Sequence, residues 1–462
     1  MLDVYNPYSG LLIKKIETNT ADDVEQALAT AHALFEDRSA WLPGYQRIDI
    51  LKRAAQIMGE QVEELTHIAA EEGGKPYADS KVEVLRAING LELAIEHIPQ
   101  IKGEQIPMGH TESSANRLAF TQREPIGVVS SISAFNHPLN LIVHQTVPAI
   151  AVGAPVIVKP AQTTPLSCMR FVEILKEAGL PDGWCQALVV GNEDAEKLVV
   201  DERVNFFSFI GSASVGWMLR SKLSPGTRCA LEHGGAAPVI VDQSAPVDSV
   251  IDSLLKGGFY HAGQVCVSVQ RVYVHDSVCE ELAEKLSDKA KCLVVGDPLD
   301  AKTEVGPLIL PREVDRVAQW VEQARASGAK VLCGGKKLSD TCYAPTVLLN
   351  PDVTATVSQK EIFGPVVCVY SYTEKSDAIA KANALPYAFQ ASIYTNDLND
   401  ALDTSNKLNA TAVMVNDHTA FRVDWMPFGG RDTSGLGMGG IQYSMHEMTR
   451  EKMLVIKSSV LS

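Results

Sequence analysis

Little in this sequence provides for a polyanionic partner, a disulfide framework or a membrane anchor. It carries 41 Lys and Arg against 56 Asp and Glu, a net charge of -15, and has no concentrated basic run of the kind that displaces counterions from nucleic acid. Its nine cysteines are odd in number, scattered and without a C-x-x-C pair, which argues against a disulfide scaffold and against a zinc site. Most are expected to be small core residues, and no metal is expected. The N-terminal segment Met1-Leu2-Asp3-Val4-Tyr5-Asn6-Pro7 lacks the basic and apolar parts of a secretory signal, so a cytoplasmic address is expected. The longest apolar stretch, Leu139 to Val158, is interrupted by His144, Gln145, Pro148, Gly153 and Pro155. It reads as a buried helix, turn and strand, not as a membrane span. Also missing are a G-x-G-x-x-G fingerprint and a Walker loop.

What is present is enough material for a large core: 462 residues, 46% of them hydrophobic, a length that favours two or three structural units. Thr20 precedes a helical pattern that places Val24, Ala27, Leu28, Ala31, Leu34 and Phe35 on one face, with Asp23 set for a capping interaction. Further helices are predicted from Gln46 to Glu72, ended by Gly73-Gly74-Lys75-Pro76, and from Tyr77 to Ile98. From Arg123 the pattern becomes short apolar runs, Ile126 to Ile132, Pro155 to Val158, Cys185 to Val190 and Val204 to Ile210, alternating with the helices Pro165 to Ala178 and Glu193 to Val199. Such runs imply a parallel sheet buried on both faces. A second α/β series runs through Pro238 to Val241, Arg271 to Val274, the helix Arg312 to Ser327 and Pro365 to Tyr370. Two α/β domains joined near Glu232 place that residue by a cleft, where ligand sites often lie.

Chemistry-bearing residues fall at the ends of these elements. Gly263-Gln264-Val265-Cys266 sets one cysteine after a glycine that permits close backbone approach. A cysteine there is a nucleophile if its site is polar enough to ionise it, or else a buried residue of an ordinary turn. Leu231-Glu232-His233-Gly234-Gly235 offers Glu232 as a partly desolvated general base, or as a strand-end carboxylate; His233 has no metal-ligand spacing around it. Phe135-Asn136-His137-Pro138 can aim the Asn136 amide at a developing oxyanion. Val158-Lys159-Pro160 brings a cation to a strand end, suited to ribose or phosphate hydroxyls. Phe209 to Gly216 runs from strand to helix, where backbone N–H groups can receive a pyrophosphate.

In this order the segments AFNHP, VKP, FIGSASVG, LEHGG and GQVC, with Glu361-Ile362-Phe363-Gly364-Pro365, Pro427-Phe428-Gly429-Gly430 and Ser434-Gly435, resemble the aldehyde dehydrogenase superfamily over nearly the whole chain. The resemblance implies an α/β fold of two Rossmann-like domains plus a small β oligomerisation element. Residues 1–115 and 125–231 would bind cofactor, 232–435 would carry catalysis, and 116–124 with 436–462 would assemble a homodimer or homotetramer. It implies that Cys266 attacks an aldehyde, that Asn136 and the Cys266 N–H hold the thiohemiacetal oxyanion, and that Glu232 activates water against the thioester. Lys159 and Glu361 would bind the riboses of NAD or NADP. Gly211, Ser212 and Gly216 would line the diphosphate region, and Phe363 would shape the nicotinamide site. Gln162 stands where many members have Glu, which removes repulsion against a ribose phosphate and leaves NAD and NADP both open. A CoA-acylating enzyme and a non-catalytic protein of the same fold are the alternatives.

His137, Asn140 and His144 follow the oxyanion asparagine at helical spacing. With Arg422 and the Phe428 of PFGG they are expected to border a pocket for a small polar or anionic aldehyde, resembling the lactaldehyde, phosphonoacetaldehyde and non-phosphorylating glyceraldehyde-3-phosphate dehydrogenase branch. Pairing of Arg422 with Asp424 would instead make that polarity structural.

Overall fold

The computed structural model describes residues 1–461. Its first long helix, Ala21–Glu36, starts on a reciprocal cap. The Asp23 carboxylate accepts from the Thr20 N–H at 2.6 Å, and the Thr20 hydroxyl accepts from the Asp23 N–H at 3.3 Å. Two otherwise orphaned donors are thereby satisfied, and Val24, Ala27, Leu28, Ala31 and Phe35 are buried. The helix expected from Gln46 to Glu72 is two helices, Gly44–Glu60 and Val62–Gly73. Gln61 leaves helical geometry between them, its N–H shared by the Ile57 and Met58 carbonyls, and each half buries its own face. The apolar period continues across the break, which is why it does not show in the pattern. Gly74 ends the second half in the left-handed region at φ +73, where a Cβ would meet ring carbons of Pro307 and Pro7 at 2.9 Å. Tyr77–His97 follows.

One six-stranded sheet has the spatial order Gly435–Leu436, Arg228–Glu232, Val204–Ile210, Val128–Ile132, Val156–Lys159, Cys185–Ala187. All neighbours are parallel except the first pair, where Gly435 lies opposite Glu232. The long apolar stretch resolves into the wholly buried helix Asn140–Val152, a left-handed Gly153 at φ +88, and the buried strand Val156–Lys159, next to the edge strand. The expected crossover helix Glu193 to Val199 is two short ones, Asn192–Ala195 and Lys197–Val200.

A second sheet has seven strands, in the order Lys330–Cys333, Thr346–Leu349, Val366–Tyr372, Val269–His275, Ala237–Val241, Gln390–Tyr394, Ala412–Val415. Only its first pair is antiparallel. The chain passes between the two sheets at residues 233–236, just after Glu232. A third, antiparallel sheet pairs Thr449–Lys457 with Arg117–Pro125 along nine residues of register and adds Gln105–Ile106. No helix among the described residues is long and apolar enough to cross a membrane.

Candidate active site

A cavity of about 1180 Å³ opens beyond the C-terminal ends of the first sheet, lined by Ile132, Lys159, Ile210 and Glu232, and is closed on the other side by the Cys266 turn. That turn immediately precedes the strand Val269–His275. Gly263 stands at φ +71 with its Cα so close to the Gly364 carbonyl that a Cβ would lie 2.1 Å from it, a place only glycine can occupy. Gln264 is buried and braces the turn: its amide donates to the His261 and Pro307 carbonyls and accepts from the Ile309 N–H at 3.0 Å. Cys266, half-buried, is the cysteine that faces the cavity.

Asn136 approaches the same turn from the first sheet, its amide donating to the Gln264 carbonyl at 2.9 Å and leaving its second N–H for the cavity. Behind it lies a fully buried ion pair that sequence reasoning missed, Lys75 with Glu83. Lys75 also donates to the Asn136 carbonyl at 3.2 Å, and Glu83 accepts from the Leu139 and Asn140 N–H groups at 2.9 and 3.0 Å. The pair therefore pins both the asparagine and the start of the helix behind it. Lys75→Met leaves a buried carboxylate unpaired and is expected to cost about 3–5 kcal/mol in urea unfolding, with Lys75→Met/Glu83→Leu costing clearly less. A single variant no less stable than the double one would refute this account of the pair.

Glu232 ends the strand Arg228–Glu232 and also lines the cavity. Its carboxylate lies against Gly439, where a Cβ would come within 2.3 Å of Oε1. Burial raises its pKa, moderated by the Arg422 charge. The Cys266 thiol is pushed up to about 12 by burial, with Glu232 adding to it and Arg422 opposing it. Sulfur, carboxylate and guanidinium thus feel one another across one space.

At the other end of the cavity, Lys159 is buried with only the Pro160 carbonyl at 3.4 Å as partner, and burial lowers its pKa. Glu361 accepts a single bond, from the Gly235 N–H at 3.2 Å, and burial pushes its carboxyl up to about 8. Gly234 makes room for it, since a Cβ there would fall 1.8 Å from Oε1. An ammonium and a carboxyl with hydrogen-bonding capacity to spare fit the hydroxyls of two riboses. Gly211 and Ser212 lead into the helix Ala213–Arg220, whose first N–H groups fit a diphosphate. These residues therefore suit a dinucleotide. Gln162 and Phe363 line the cavity as well. Gly216 does not. It lies beneath His233, whose ring a Cβ would strike at 1.9 Å, while His233 Nδ1 bonds to the Gly211 carbonyl at 3.0 Å. No cluster of three or more potential metal ligands occurs among the described residues.

The model of the family described as "Aldehyde dehydrogenase family" matches residues 1–454. The chain belongs to that family. It is 38% identical over 456 residues to a 3-sulfolactaldehyde dehydrogenase of Priestia aryabhattai, covering 98% of this chain and 94% of the relative. It is 38% identical over 460 residues to a lactaldehyde dehydrogenase of Methanocaldococcus jannaschii, covering 98% and 97%. Among solved structures, aldehyde dehydrogenase 21 of Physcomitrella patens with the product succinate superimposes at a TM-score of 0.96 with 35% identity, covering 99% of this chain and 95% of that one. The glyceraldehyde-3-phosphate dehydrogenase GapN of Methanocaldococcus jannaschii, complexed with NADP, gives 0.94 with 38% identity and 99% coverage of both. The α/β fold with parallel sheets is that of the family.

In this aldehyde dehydrogenase the cavity beside Cys266 is walled by His137, Asn140, Arg422 and Phe428, with Arg86 and Tyr260. Arg422 lies over the Phe428 ring at 3.6 Å. It does not pair tightly with Asp424: its Nε is 3.9 Å from Oδ1 and makes no hydrogen bond. Arg86 takes both oxygens instead, at 2.9 and 2.7 Å. His144, expected on the pocket wall, is behind it, with Nε2 2.8 Å from Asp424 Oδ1 and Nδ1 3.4 Å from Arg422 Nη2. The helix turn that exposes Asn140 carries His144 one turn deeper, where Asp424 claims it. Burial and then the Arg422 charge push His144 down to about 4. Burial opposes ionisation of Asp424, but His144 and Arg86 override it and hold the carboxyl far below its usual range. Arg86 carries no local motif; only its 338-residue pairing with Asp424 reveals it.

Proposed function

We infer that this protein is an NAD(P)-dependent aldehyde dehydrogenase that oxidises a small polar or anionic aldehyde to its carboxylic acid. The observation that carries the reading is the convergence of Cys266, Asn136 and Glu232, from three separate segments, on one cavity whose far end presents Lys159 and Glu361. In this reading Cys266 Sγ bonds to the aldehyde carbon. The free Asn136 N–H and the Cys266 backbone N–H hold the resulting oxyanion. Loss of hydride from the thiohemiacetal carbon gives the thioester, and an oxidised nicotinamide held by Lys159, Glu361 and the Gly211–Ser212 turn would supply the acceptor. Glu232 then takes a proton from water as it attacks the thioester, and the acid leaves as the thiol is restored. A carboxylate near the sulfur favours water over a thiol as the acyl acceptor, and product analysis with and without CoA separates the two.

Arg422 at the mouth of the reacting end supports the anionic side of the substrate range. Relatives named for sulfolactaldehyde and lactaldehyde support a short, polar chain. Arg422→Ala is expected to lower kcat/KM for a carboxylate-tailed aldehyde about 10- to 100-fold relative to a neutral aldehyde of equal length. Equal losses on both substrates in steady-state assays would remove Arg422 from tail recognition.

The strand Thr449–Lys457 is exposed along eight of its nine residues, including Met453, Leu454, Val455 and Ile456. An apolar edge of that length supports burial against a second copy, as homodimer or homotetramer. Nine free cysteines are in keeping with a reducing compartment such as the cytoplasm.

A further inference from the structure

We propose that Gln270, which does not line the cavity, is a positioning residue for the dinucleotide: it braces the segment that carries Glu361 and Phe363, so that its loss weakens cofactor binding while leaving the Cys266 thiol as it is. This deepens the reading above and rests on its assignment of Glu361 to a cofactor ribose.

Gln270 is the second residue of the strand Val269–His275, which follows the Cys266 turn, and is only 4% exposed. Its amide nitrogen donates to the Val357 carbonyl at 3.1 Å and to the Lys360 carbonyl at 2.8 Å. Its amide oxygen accepts from the Ile362 N–H at 2.9 Å. Both donors and the oxygen are thus in use, and two of the three partners belong to the residues on either side of Glu361. The next residue, Arg271, turns to the opposite face of the strand, as alternation requires, and donates to the Ala236, Lys381 and Ala382 carbonyls. Of the two, Gln270 serves the segment that carries Glu361.

That segment has little regular structure of its own. Residues 360–365 lie outside helix and strand, between the short helix Thr356–Gln359 and the strand Val366–Tyr372. Within them Phe363 stands at φ +48, a left-handed conformation that is costly for a bulky side chain and persists only where the surroundings impose it. The Glu361 carboxylate accepts one bond, from the Gly235 N–H at 3.2 Å, so its own contacts fix its direction weakly. Three hydrogen bonds from a buried amide fix the backbone instead, and with it the carboxyl and the ring that line the cavity. Removing that amide deprives two carbonyls and one N–H of their buried partner, at a cost the segment relieves by shifting. The Cys266 turn has a separate brace in Gln264, which bonds to His261, Pro307 and Ile309.

The test reads equilibrium binding, not turnover. Titration calorimetry gives the Kd of NAD and of NADP for wild type, Gln270→Met, Glu361→Ala and the double variant, each shown to be folded by its urea transition. Gln270→Met and Glu361→Ala are each expected to weaken binding of the preferred dinucleotide about tenfold. The double variant is expected to fall well short of the product of the two losses, because both act on the same carboxyl. Alkylation of Cys266 by iodoacetamide without cofactor is expected to stay within about twofold of wild type in Gln270→Met. Gln270→Glu keeps the side-chain length and the acceptor for the Ile362 N–H; it is expected to bind with intermediate affinity, and it takes the place of Gln270→Met in the cycle if that variant does not fold. An unchanged Kd in the Gln270 variants, losses that multiply in the double variant, or alkylation altered as much as binding overturns the proposal and leaves Glu361 on the cofactor. An unchanged Kd in Glu361→Ala removes the ribose assignment beneath it, and the proposal with it.

Discussion

Cys266→Ala is expected to abolish aldehyde oxidation, lowering kcat/KM by at least about 10⁴-fold, because covalent attack has no substitute in this cavity. None of the other eight cysteines lines it. Cys168, Cys185, Cys279, Cys333, Cys342 and Cys368 are buried elsewhere, and Cys229 and Cys292 lie outside the cavity wall. The substitution deletes one half-buried sulfur, so the unfolding transition and cofactor binding are expected to stay close to wild type. The resting thiol also predicts its own pH dependence. With its pKa pushed up to about 12, the reactive thiolate is a small fraction at neutral pH. Alkylation of Cys266 by iodoacetamide in the free enzyme is therefore expected to accelerate about tenfold per pH unit through the neutral range. Retention of more than a few per cent of turnover by Cys266→Ala would remove this sulfur as the nucleophile.

Glu232→Gln should separate the two halves of the reaction. The amide has the same shape, so it keeps the packing against Gly439, but it cannot take a proton from water. One turnover of cofactor reduction is expected to proceed, followed by accumulation of acyl-enzyme on Cys266, visible by intact mass, with steady-state turnover about 10²- to 10⁴-fold slower. Burial raises the pKa of Glu232 toward the range where a carboxylate is a useful base. In wild type the deacylation rate is accordingly expected to rise with pH as this group loses its proton. Unchanged steady-state turnover in Glu232→Gln would exclude it as the base.

Much of this architecture is legible in the chain as written. The Thr20 cap, the alternation of apolar runs and helices, and the strand end at Glu232 follow from local rules, which act between residues a few positions apart. The order of the motifs around Asn136, Lys159, Gly211, Glu232, Cys266 and Glu361 was enough to indicate the family. The break at Gln61 escaped because an apolar period can run unchanged through a change of helix axis.

What remained hidden depends on distant partners. Gly216 matched the expected phosphate turn, yet its side is taken by His233. His144 had the right spacing to face the substrate, yet Asp424 lies across from it. Arg86 was one cation on an amphipathic helix among several, and Lys75 one residue after a helix stop. By itself the sequence determined the class of fold and singled out the candidate reacting groups, because backbone propensity, burial period and motif order are written along the chain. The tertiary structure alone decided which charges meet, since Arg86 and Asp424, or Lys75 and Asn136, come together only when packing brings segments far apart in the chain into one low-dielectric site.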